Sequence, residues 1–290
     1  MLKQNHYRTI VISDVHLGTK ASKAKELVRF LKTNTCDKLI LNGDIIDGWR
    51  LRKSGKWKKK HTRFFKVIMK MMENHNTKVI YTRGNHDDFL DNVLPLQIGG
   101  LTICKDYLHI SEGKKYWVIH GDIFDSITTN LKWMAKLGDV GYTFLLWLNK
   151  MYNNRRRKNG LTYQSLSQRI KGKVKTAVSY ISDYETELVK LARARNYDGI
   201  ICGHIHHPSI NNMKGVMYLN SGDWVESLSA LVEDIEGRWK IVRYVDLLAE
   251  EQLEQNKLGY EKGTLVRKLN NTVSEEEREY KKVVGHMAKM

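Results

Sequence analysis

The sequence predicts an α/β protein, because short β-strand patterns alternate with amphipathic helical patterns along much of the chain. Strands are predicted at 8–13, 37–42 and 77–83, and helices are predicted between them at 21–32 and 61–73. This spacing is typical of parallel strands joined by crossover helices. A second observation supports the same class. The predicted strands end in polar loops marked by glycine, as they do where an open parallel sheet carries a site.

Later segments extend this pattern and divide the chain. Further strands are predicted at 114–121, 197–204, "VMYLNSGDW" and "RWKIVRYV". The pattern at 126–182 is helical, and we interpret it as a cap inserted into one domain spanning 1–247. A further helix is predicted at 182–195, with Ser182 as its N-cap and acidic residues in its first turn. The tail at 248–290 is rich in Lys and Glu and is expected to be helical.

The composition indicates an anionic partner and a reducing compartment. Lys and Arg number 49 against 32 Asp and Glu, which gives a formal net charge of +17. Such an excess favours nucleic acid, an acidic membrane face or a phosphorylated substrate, although solubility alone also accounts for scattered charge. No signal-peptide pattern and no apolar run of ~20 residues is present. Three separate cysteines predict reduced, buried thiols. We expect a cytoplasmic protein, at most peripheral on a membrane.

Five predicted strands are each followed by a loop that carries residues typical of metal sites. The loops are "SDVHLG", "NGDIIDGW", "RGNHDDF", "HGDIFD" and "GHIHHP". Sites in open parallel sheets form beyond the carboxyl ends of the strands, so these loops are expected to converge. An isolated Asp or His is more often a cap or a buried core residue. Five such loops in order, each at a strand end, indicate a metal site.

The residue types favour a pair of divalent transition-metal ions. Asp14 and His16 are two residues apart, as are His204 and His206, so each pair points to one side of an extended segment. Carboxylates and imidazoles without a thiolate suit Mn²⁺, Fe²⁺ or Zn²⁺ better than Ca²⁺. One carboxylate between two clusters can bridge two ions about 3.5–4 Å apart, the geometry of two-metal phosphoester hydrolysis. We expect two ions of Mn²⁺, with Fe²⁺, Zn²⁺ and Co²⁺ as alternatives.

These loops resemble the D-x-H, G-D, G-N-H-[DE], H and G-H-x-H motifs of the calcineurin-like metallophosphoesterase family. The resemblance covers about Thr9 to Trp224, and it implies β-sheets sandwiched between helices, with a helical cap insertion. It also implies a ligand set for two metal ions. One ion would be held by Asp14, His16 and His206, the other by Asn85, His120 and His204, with Asp44 as the bridge.

The resemblance further implies how catalysis works in this family. His86 would stand near the leaving oxygen as a proton donor or transition-state stabiliser, and Asp87 would orient it. A metal-bound hydroxide would attack phosphorus. Asp47 is open to two interpretations, since it could lie behind the metal ligands or could simply cap a helix or turn.

Three segments resemble the bacterial UDP-2,3-diacylglucosamine diphosphatase branch of the family. They are "NGDIIDGW", "HGDIFD" and "YLNSGDWVES". This branch works at the cytoplasmic face of the inner membrane. The resemblance implies hydrolysis of UDP-2,3-diacylglucosamine, or a related nucleotide-diphosphate lipid, to a lipid monophosphate and UMP. The better-known members carry Arg where this chain has His86, so "GNHD" is the general form of the superfamily.

The basic run at 49–61, "WRLRKSGKWKKKH", directly follows the predicted bridging loop. Its arginines could hold a diphosphate through bidentate contacts, and a tryptophan could stack on a base. We expect substrate contacts from Trp49, Arg50, Arg52 and Asp125. The distal lysines are interpreted either as a solvated loop or as a contact with anionic lipid headgroups. The apolar stripe at 133–152 is likewise either core or a face for acyl chains and membrane.

Two other functions are compatible with the sequence. A phosphodiesterase or phosphatase acting on nucleotides or nucleic acid would use the same site, and the net charge and the interleaved tryptophans favour it. A binding protein on an inactive phosphoesterase fold would be expected to lack some ligands, whereas every expected position here is filled. The sequence does not predict an oligomeric state.

Overall fold

The computed structural model describes residues 5–124, 167–250 and 252–253. Its helices include α1 (Ala24–Thr33), α2 (Gly48–Lys53), α3 (Lys59–His75) and α4 (Ser167–Ala194), with 3₁₀ turns at Asp88–Asn92 and Asp122–Phe124. The described strands are β1 (Asn5–Ile12), β2 (Asn34–Asn42), β3 (Lys78–Thr82), β4 (Leu96–Ile98), β5 (Leu101–Cys104), β6 (Tyr107–Ser111), β7 (Lys114–Val118), β8 (Gly199–Cys202), β9 (Ser209–Met213), β10 (Val216–Asn220), β11 (Ser229–Glu233) and β12 (Trp239–Arg243).

The strands form two sheets that are parallel at their centres. The first sheet has the spatial order β12-β11-β1-β2-β3-β5-β4, and the second has the order β6-β7-β8-β10-β9. Strands β1, β2, β3 and β5 pair in parallel in the first sheet, as do β7, β8 and β10 in the second. Antiparallel strands β11, β4, β6 and β9 flank these parallel sets. The carboxyl ends of the parallel strands within each sheet therefore lie at one edge.

The two sheets pack face to face through apolar side chains. Val11, Ile40 and Ile80 of the first sheet lie in one buried cluster with Val118 and Ile201 of the second. β-branched residues suit the pleated, half-buried surface of a strand, so each sheet acquires an apolar inner face. Full burial of one such side chain contributes roughly 1.5–3 kcal/mol, and this layer therefore holds the sheets together.

Helices cover the outer faces of both sheets. α1 buries Leu27, Phe30 and Leu31 on one helical face and packs with α3 against β2. α4 buries Leu188 and Ala192 in a second apolar cluster, against β8 and β10. The order helix, sheet, sheet, helix confirms the predicted α/β fold with β-sheets sandwiched between helices.

One prediction of secondary structure is wrong, and five strands are not predicted. Ser182 is not an N-cap, because α4 runs from Ser167 to Ala194 and Ser182 is exposed within it. Serine favours caps, but its cost inside a helix is only about half a kcal/mol relative to alanine, so a long helix tolerates it. Strands β4, β5, β6, β9 and β11 are not predicted from the sequence, because each has only three to five residues, too few for a clear apolar pattern.

Two predicted regions lie largely outside the described residues. Of the predicted cap at 126–182, the structure describes 167–182 as part of α4. Of the predicted tail at 248–290, it describes 248–250 and 252–253, which are helical. No helix in the described part of the chain is both long and apolar enough to cross a membrane.

The three cysteines are free thiols, as predicted. Cys36 and Cys202 are buried, whereas Cys104 is only half-buried, so the prediction of burial is wrong for Cys104. Burial raises the pKa of Cys36 and Cys202 to about 12 and that of Cys104 to about 11. These thiols therefore stay protonated at neutral pH and serve as small apolar residues rather than nucleophiles.

Candidate metal centre

The loops that follow β1, β2, β3, β7 and β8 meet at one edge of the two sheets. Asp14 N–H donates to the Gly43 carbonyl (3.1 Å), and Gly203 N–H donates to the His120 carbonyl (3.0 Å). The Arg83 guanidinium donates to the carboxylate of Asp122 (2.6 Å), which joins the β3 loop to the β7 loop. These hydrogen bonds confirm the predicted convergence of the loops.

Asp14, His16 and His206 form the first group of ligand-type side chains. His206 Nε2 lies 3.2 Å from Asp14 Oδ1, and His16 Nε2 lies 3.9 Å from the same oxygen. One ligand atom from each residue lies within 4.8 Å of the other two. A single ion at this point could contact all three residues, as the sequence predicts.

Asp44 lies between this group and His120. Asp44 Oδ2 is 3.8 Å from His16 Nε2 and 3.4 Å from His120 Nε2. Asp14, Asp44 and His120 form a second group of adjacent ligand atoms, all buried. Asp44 also forms a group of adjacent ligand atoms with His16 and His86, so its carboxylate belongs to two groups. This is the position required of a bridge between two ions.

Asn85 and His204 complete the predicted ligand set of the second ion. Asn85 lies between Gly84 and His86, and the backbone N–H of His86 donates to Asp44 Oδ1 (2.8 Å). The His204 ring packs edge-on against the His120 ring, with 5.2 Å between the ring centroids. Within the described residues, His204 is outside the groups of adjacent ligand atoms, so its coordination of an ion stays a prediction.

His120 is oriented by a residue that the sequence analysis did not identify. His120 Nδ1 lies 3.0 Å from the Asn42 carbonyl oxygen, so this nitrogen is the N–H donor and Nε2 is left to face Asp44. The Asn42 side chain donates in turn to the Ile119 carbonyl (3.0 Å). Metal-binding histidines are commonly held in this way through their other ring nitrogen. The Asn at the end of a buried strand, before "GD", is the signal that could have indicated this role.

Five of the predicted ligands adopt a left-handed backbone conformation. Their φ angles are 51° for Asp14, 49° for His16, 54° for Asp44, 67° for His204 and 55° for His206. This conformation costs roughly 1–2 kcal/mol for most L-residues, and it is found repeatedly at functional sites. Strain at so many ligand positions indicates that the loops are shaped by the placement of these side chains.

The unpaired atoms at the site fit divalent metal ions. Asp14 Oδ1, Asn85 Oδ1 and His120 Nε2 are buried and make no hydrogen bond of acceptable geometry among the described residues, although Asp14 Oδ1 and His120 Nε2 lie near other ligand atoms of the site. One buried polar atom without a partner costs about 1–3 kcal/mol, so three in neighbouring loops indicate a ligand. Carboxylate oxygen, amide oxygen and imidazole nitrogen are donors that Mn²⁺, Fe²⁺ and Zn²⁺ accept. The residues present therefore fit the implied ions, without selecting one metal.

The electrostatics of the site also suit cations. Burial by itself raises the pKa of Asp44, but His120 and His16 together lower it to about 2. Burial by itself lowers the pKa of His206, but the Asp14 carboxylate raises it to about 9. The Asp14 carboxylate thus holds a proton on the His206 imidazole. Since a metal ion competes with that proton, its binding is expected to release it.

The structure corrects the predicted role of Asp87. The carboxylate of Asp87 accepts hydrogen bonds from Ile45 N–H (3.0 Å) and Ile46 N–H (2.8 Å), so it fixes the backbone after Asp44. Burial and the Asp44 charge raise the pKa of Asp87 to about 7. The predicted contact with His86 is therefore wrong. Buried backbone N–H groups need an acceptor, and the Asp87 carboxylate supplies one for the two N–H groups that follow Asp44.

Asp47 is the carboxylate that faces His86. Asp47 Oδ1 lies 3.2 Å from His86 Nδ1, and Asp47 Oδ2 lies 3.6 Å from His16 Nδ1. Asp47 also caps α2, because its side chain accepts the backbone N–H of Arg50 (2.7 Å). Both interpretations of Asp47 in the sequence thus hold at once. His86 Nε2 lies 3.9 Å from Asp44 Oδ2, which places this ring at the candidate centre.

The predicted substrate contacts lie at the rim of the site. The Trp49 ring packs on the His86 ring, with 4.4 Å between centroids, and its indole N–H donates to Asp88 (3.0 Å). Arg52 pairs with the other oxygen of Asp88 (2.6 Å), and Arg50 is exposed on α2. Trp49 is therefore next to the candidate centre, whereas Asp125 lies outside the described residues.

Comparison with known proteins gives one family and a set of distant relatives. The profile of the calcineurin-like phosphoesterase family matches residues 7–208. The chain is 22% identical, over 245 residues, to a UDP-2,3-diacylglucosamine hydrolase of Vibrio cholerae serotype O1 (strain El Tor Inaba N16961), covering 77% of this chain and 93% of that protein. Among solved structures it is similar to an archaeal phosphodiesterase, with 15% identity, coverage of 81% and 98%, and a TM-score of 0.38. It is also similar to zinc-bound Vps29 of Entamoeba histolytica, with 11% identity, coverage of 81% and 98%, and a TM-score of 0.40.

Proposed function

The chain belongs to the calcineurin-like phosphoesterase family and is a metal-dependent hydrolase, and from this premise we propose its substrate and its chemistry. The proposed substrate is UDP-2,3-diacylglucosamine or a related nucleotide-diphosphate lipid. The proposed products are a lipid monophosphate and UMP. The curated relative of that name is aligned over nearly its whole length, which supports the substrate class.

One observation carries the proposal of a phosphoester hydrolase. Asp14 and Asp44, each buried and each from a different loop, lie within one group of ligand atoms together with His120. Two buried carboxylates this close need a compensating positive charge. We propose a pair of divalent ions, Mn²⁺ or one of the alternatives Fe²⁺, Zn²⁺ and Co²⁺, because the ligand atoms are nitrogen and oxygen with no thiolate among them.

The two ions, when bound, would activate water and neutralise charge on the phosphoryl oxygens. The side chains of the chain would do the rest. Asp44 would hold both ions at once, and His86 would serve the leaving oxygen. Because Asp47 lies at His86 Nδ1, the imidazolium form of His86 would keep its Nδ1–H toward Asp47 and would donate its other proton from Nε2. Trp49 packs on the His86 ring, with 4.4 Å between the ring centroids, and would limit its rotation.

The rim of the site supports a nucleotide-diphosphate substrate. Arg50 is exposed on α2, one residue after Trp49, and can reach a phosphate without breaking an ion pair seen in the described residues. Arg52 is held by Asp88 and would contribute less to binding. Trp49 is 38% exposed, so one face of its indole can stack on a base. We propose that α2 binds the UDP part of the substrate.

A cluster of lysines supports contact with an anionic lipid surface. Lys60 Nζ donates to the Ser22 carbonyl (2.5 Å), which joins the start of α3 to the segment before α1. Burial, and then the charges of Lys58, Lys23 and Lys25, lower the pKa of Lys60. We call Lys23, Lys25, Lys58 and Lys60 the lysine cluster. Cations near a helix N-terminus are unfavourable, and an anionic partner would offset this cost. We propose peripheral binding to the cytoplasmic face of the inner membrane.

A nucleotide or nucleic-acid phosphodiesterase is the second candidate. Trp57 is 44% exposed in the same basic run, and a tryptophan between lysines is a feature of single-strand binding surfaces. The Trp57 ring, however, already stacks on Phe65 and its N–H donates to Thr62 (2.9 Å). Unlike Trp49, which packs on His86, Trp57 has no contact with the candidate centre among the described residues, so it adds no support for nucleic acid at the site.

The test is a comparison of substrates with the purified full chain loaded with Mn²⁺. UDP-2,3-diacylglucosamine, single-stranded DNA and bis-p-nitrophenyl phosphate are supplied in parallel, and UMP release is measured for the first. We expect UMP release, with kcat/KM for the lipid exceeding that for the other two. Turnover of the generic diester or of DNA without UMP release would reject the lipid assignment.

Asp44→Asn is the variant that tests the centre itself. We expect at least about a thousandfold lower kcat for every substrate, with loss of bound Mn²⁺, because the bridging carboxylate is removed. The matched control is Asp37→Asn, which removes an exposed carboxylate on β2, the strand that leads to Asp44, and should leave kcat unchanged. An Asp44→Asn protein that retains turnover would show that the centre lies elsewhere.

A further inference from the structure

Tyr184 is a buried tyrosine of α4 that contacts two loops of the candidate centre. Its side chain is only 4% exposed, and it lies in the apolar cluster between α4 and the second sheet. Its hydroxyl donates to the Gly121 carbonyl (3.1 Å), in the residue that follows His120. Its ring lies 6.2 Å from the His204 ring, centroid to centroid, at an interplanar angle of 33°. One side chain thus reaches both loops that carry histidines of the predicted second ion.

The fit between Tyr184 and Gly121 is close. Gly121 has a φ of 114°, and a Cβ atom built there would lie 2.0 Å from the Tyr184 hydroxyl oxygen. No side chain other than hydrogen is therefore compatible with this tyrosine at that position. The glycine of "HGD" leaves space that the hydroxyl fills, and the hydrogen bond fixes the direction of the chain directly after His120.

His204 is held from two sides. The His120 ring packs against one side at 5.2 Å and the Tyr184 ring lies on another at 6.2 Å. The sheet holds His120 through Asn42, as described above, whereas Tyr184 comes from a helix. Within the part of the chain that the structure describes, Asp14, His16 and His206 make no such contact with α4.

We propose that Tyr184 is a positioning residue for His120 and His204, and that through it α4 governs binding of the second metal ion. This rests on the proposed function, because it needs two ions at the centre. α4 begins within the predicted cap insertion at 126–182, so the same helix continues from the cap to the centre. Occupancy of the second metal site would then depend on how α4 packs against the second sheet.

The test measures Mn²⁺ binding to the metal-depleted full chain, without substrate. Tyr184→Phe keeps the ring and removes the hydroxyl, and Tyr184→Leu also removes the ring contact with His204. Isothermal titration should give two ions for the wild type. We expect about tenfold weaker binding of the second ion in Tyr184→Phe, a larger loss in Tyr184→Leu, and unchanged binding of the first ion in both. Excess Mn²⁺ should restore the kcat of Tyr184→Phe.

The matched control is Tyr116→Phe. Tyr116 is equally buried, but its ring packs on His109 and Trp239 between the two sheets, on the strand that precedes His120. Both ions should bind this variant as they bind the wild type. Wild-type affinity for both ions in Tyr184→Phe and Tyr184→Leu would overturn the inference while leaving the proposed function intact. Equally weakened binding of both ions in the variants would also overturn the inference. A wild-type chain that binds a single ion would overturn the proposed two-ion centre as well.

Discussion

His86 Nδ1 lies 3.2 Å from Asp47 Oδ1, and this contact connects the loop of the proposed bridging ligand with the loop of the proposed proton donor. Asp47 comes from the loop that presents Asp44, whereas His86 comes from the loop after β3. Because the other Asp47 oxygen lies 3.6 Å from His16 Nδ1, one carboxylate faces two imidazoles. The same side chain caps α2 at Arg50 N–H. The capping role and the role in orienting histidine can be separated by mutation.

Asp47→Ser retains an oxygen that can cap α2 and removes the carboxylate from His86. We expect kcat to fall by roughly 10²-fold, the lower end of what an oriented proton donor contributes, while the melting temperature stays near that of the wild type. Asp47→Ala should lose both, with about 1 kcal/mol of unfolding free energy in addition. Steady-state kinetics and thermal unfolding of both variants check this. Wild-type kcat in the serine variant would contradict the role.

Asp87→Asn should affect stability more than chemistry. The carboxylate accepts two backbone N–H groups, at Ile45 and Ile46, and an amide offers only one oxygen in its place. One buried donor then faces an NH₂ group, and we expect a loss of roughly 1–3 kcal/mol in unfolding free energy. Urea unfolding measures this loss. If Asp87→Asn kept its stability but lost most of its kcat, the original idea that Asp87 serves His86 would be restored.

Gly203→Ala should weaken the first metal site. A Cβ at this position would lie 2.3 Å from Ser13 Oγ and 2.5 Å from Asp14 Oδ2. Ser13 cannot move aside easily, because its hydroxyl is bonded to Ser221 (2.7 Å) and to the Gly222 carbonyl (2.8 Å). Asp14 would therefore be displaced, and we expect Mn²⁺ affinity at the first site to fall tenfold or more, by analogy with changes in groups that orient ligands.

The control for this variant is Gly100→Ala, where the nearest atom to an added Cβ, Met72 Cε, is 3.5 Å away. Mn²⁺ titration of the two variants should show a loss for Gly203→Ala alone. A folded Gly203→Ala protein with wild-type affinity would mean that Asp14 is not placed by this close packing.

The features of this structure that could be predicted are those that depend on short sequence patterns. Strand ends followed by Asp, His and Gly predicted the convergence of five loops, because parallel strands bring their carboxyl ends together. The hydrogen-bond and packing partners of individual side chains could not be predicted, because they depend on how distant segments pack in the folded chain. Asp47 lies three residues after Asp44, and Asp87 directly follows His86. Only the packing of the folded chain decides that Asp47 faces His86 while Asp87 faces the backbone. Tyr184 is remote from every loop in sequence, so no pattern could connect it with Gly121.

The lysine cluster was also not predictable as one surface, because its two segments are brought together by the Lys60–Ser22 contact.

We expect Lys25→Ala combined with Lys58→Ala to weaken binding to phosphatidylcholine vesicles that contain phosphatidylglycerol. At ~1 kcal/mol for each cation near an anionic surface, two charges correspond to about 30-fold. The matched control, Lys78→Ala with Lys114→Ala, removes two exposed charges at the amino-terminal ends of β3 and β7.

Vesicle sedimentation at low and at physiological salt distinguishes the two pairs of variants. A specific contact predicts a loss for the cluster pair and little change for the control pair. Equal losses would mean that net charge alone attracts the protein to the membrane. Loss of single-stranded DNA binding without loss of vesicle binding would instead assign the cluster to nucleic acid.

A buried polar chain away from the centre links both sheets and gives a prediction about pH. Lys38 Nζ lies 3.1 Å from His109 Nδ1, and His109 Nε2 lies 3.1 Å from Glu233 Oε2. A protonated lysine can only donate, so His109 Nδ1 accepts and Nε2–H donates to Glu233. Burial by itself raises the pKa of Glu233, but hydrogen bonds, above all the one from His109, lower it below the ordinary value of 4.5. The ionised form is therefore the one that the folded state favours.

Glu233→Gln should lower the unfolding free energy by roughly 1–3 kcal/mol at pH 7, since the charge-assisted hydrogen bond is replaced by a neutral one. Because the folded-state pKa is depressed, the contribution of Glu233 is complete above pH 4.5 and is lost as pH falls through the lower folded value. The difference between wild type and variant should therefore shrink in acid. Urea unfolding at pH 7, 5 and 3.5 measures it, with exposed Glu187→Gln as the control. A difference that stays constant over this range would show that packing, rather than the charge of Glu233, stabilises this part of the sandwich.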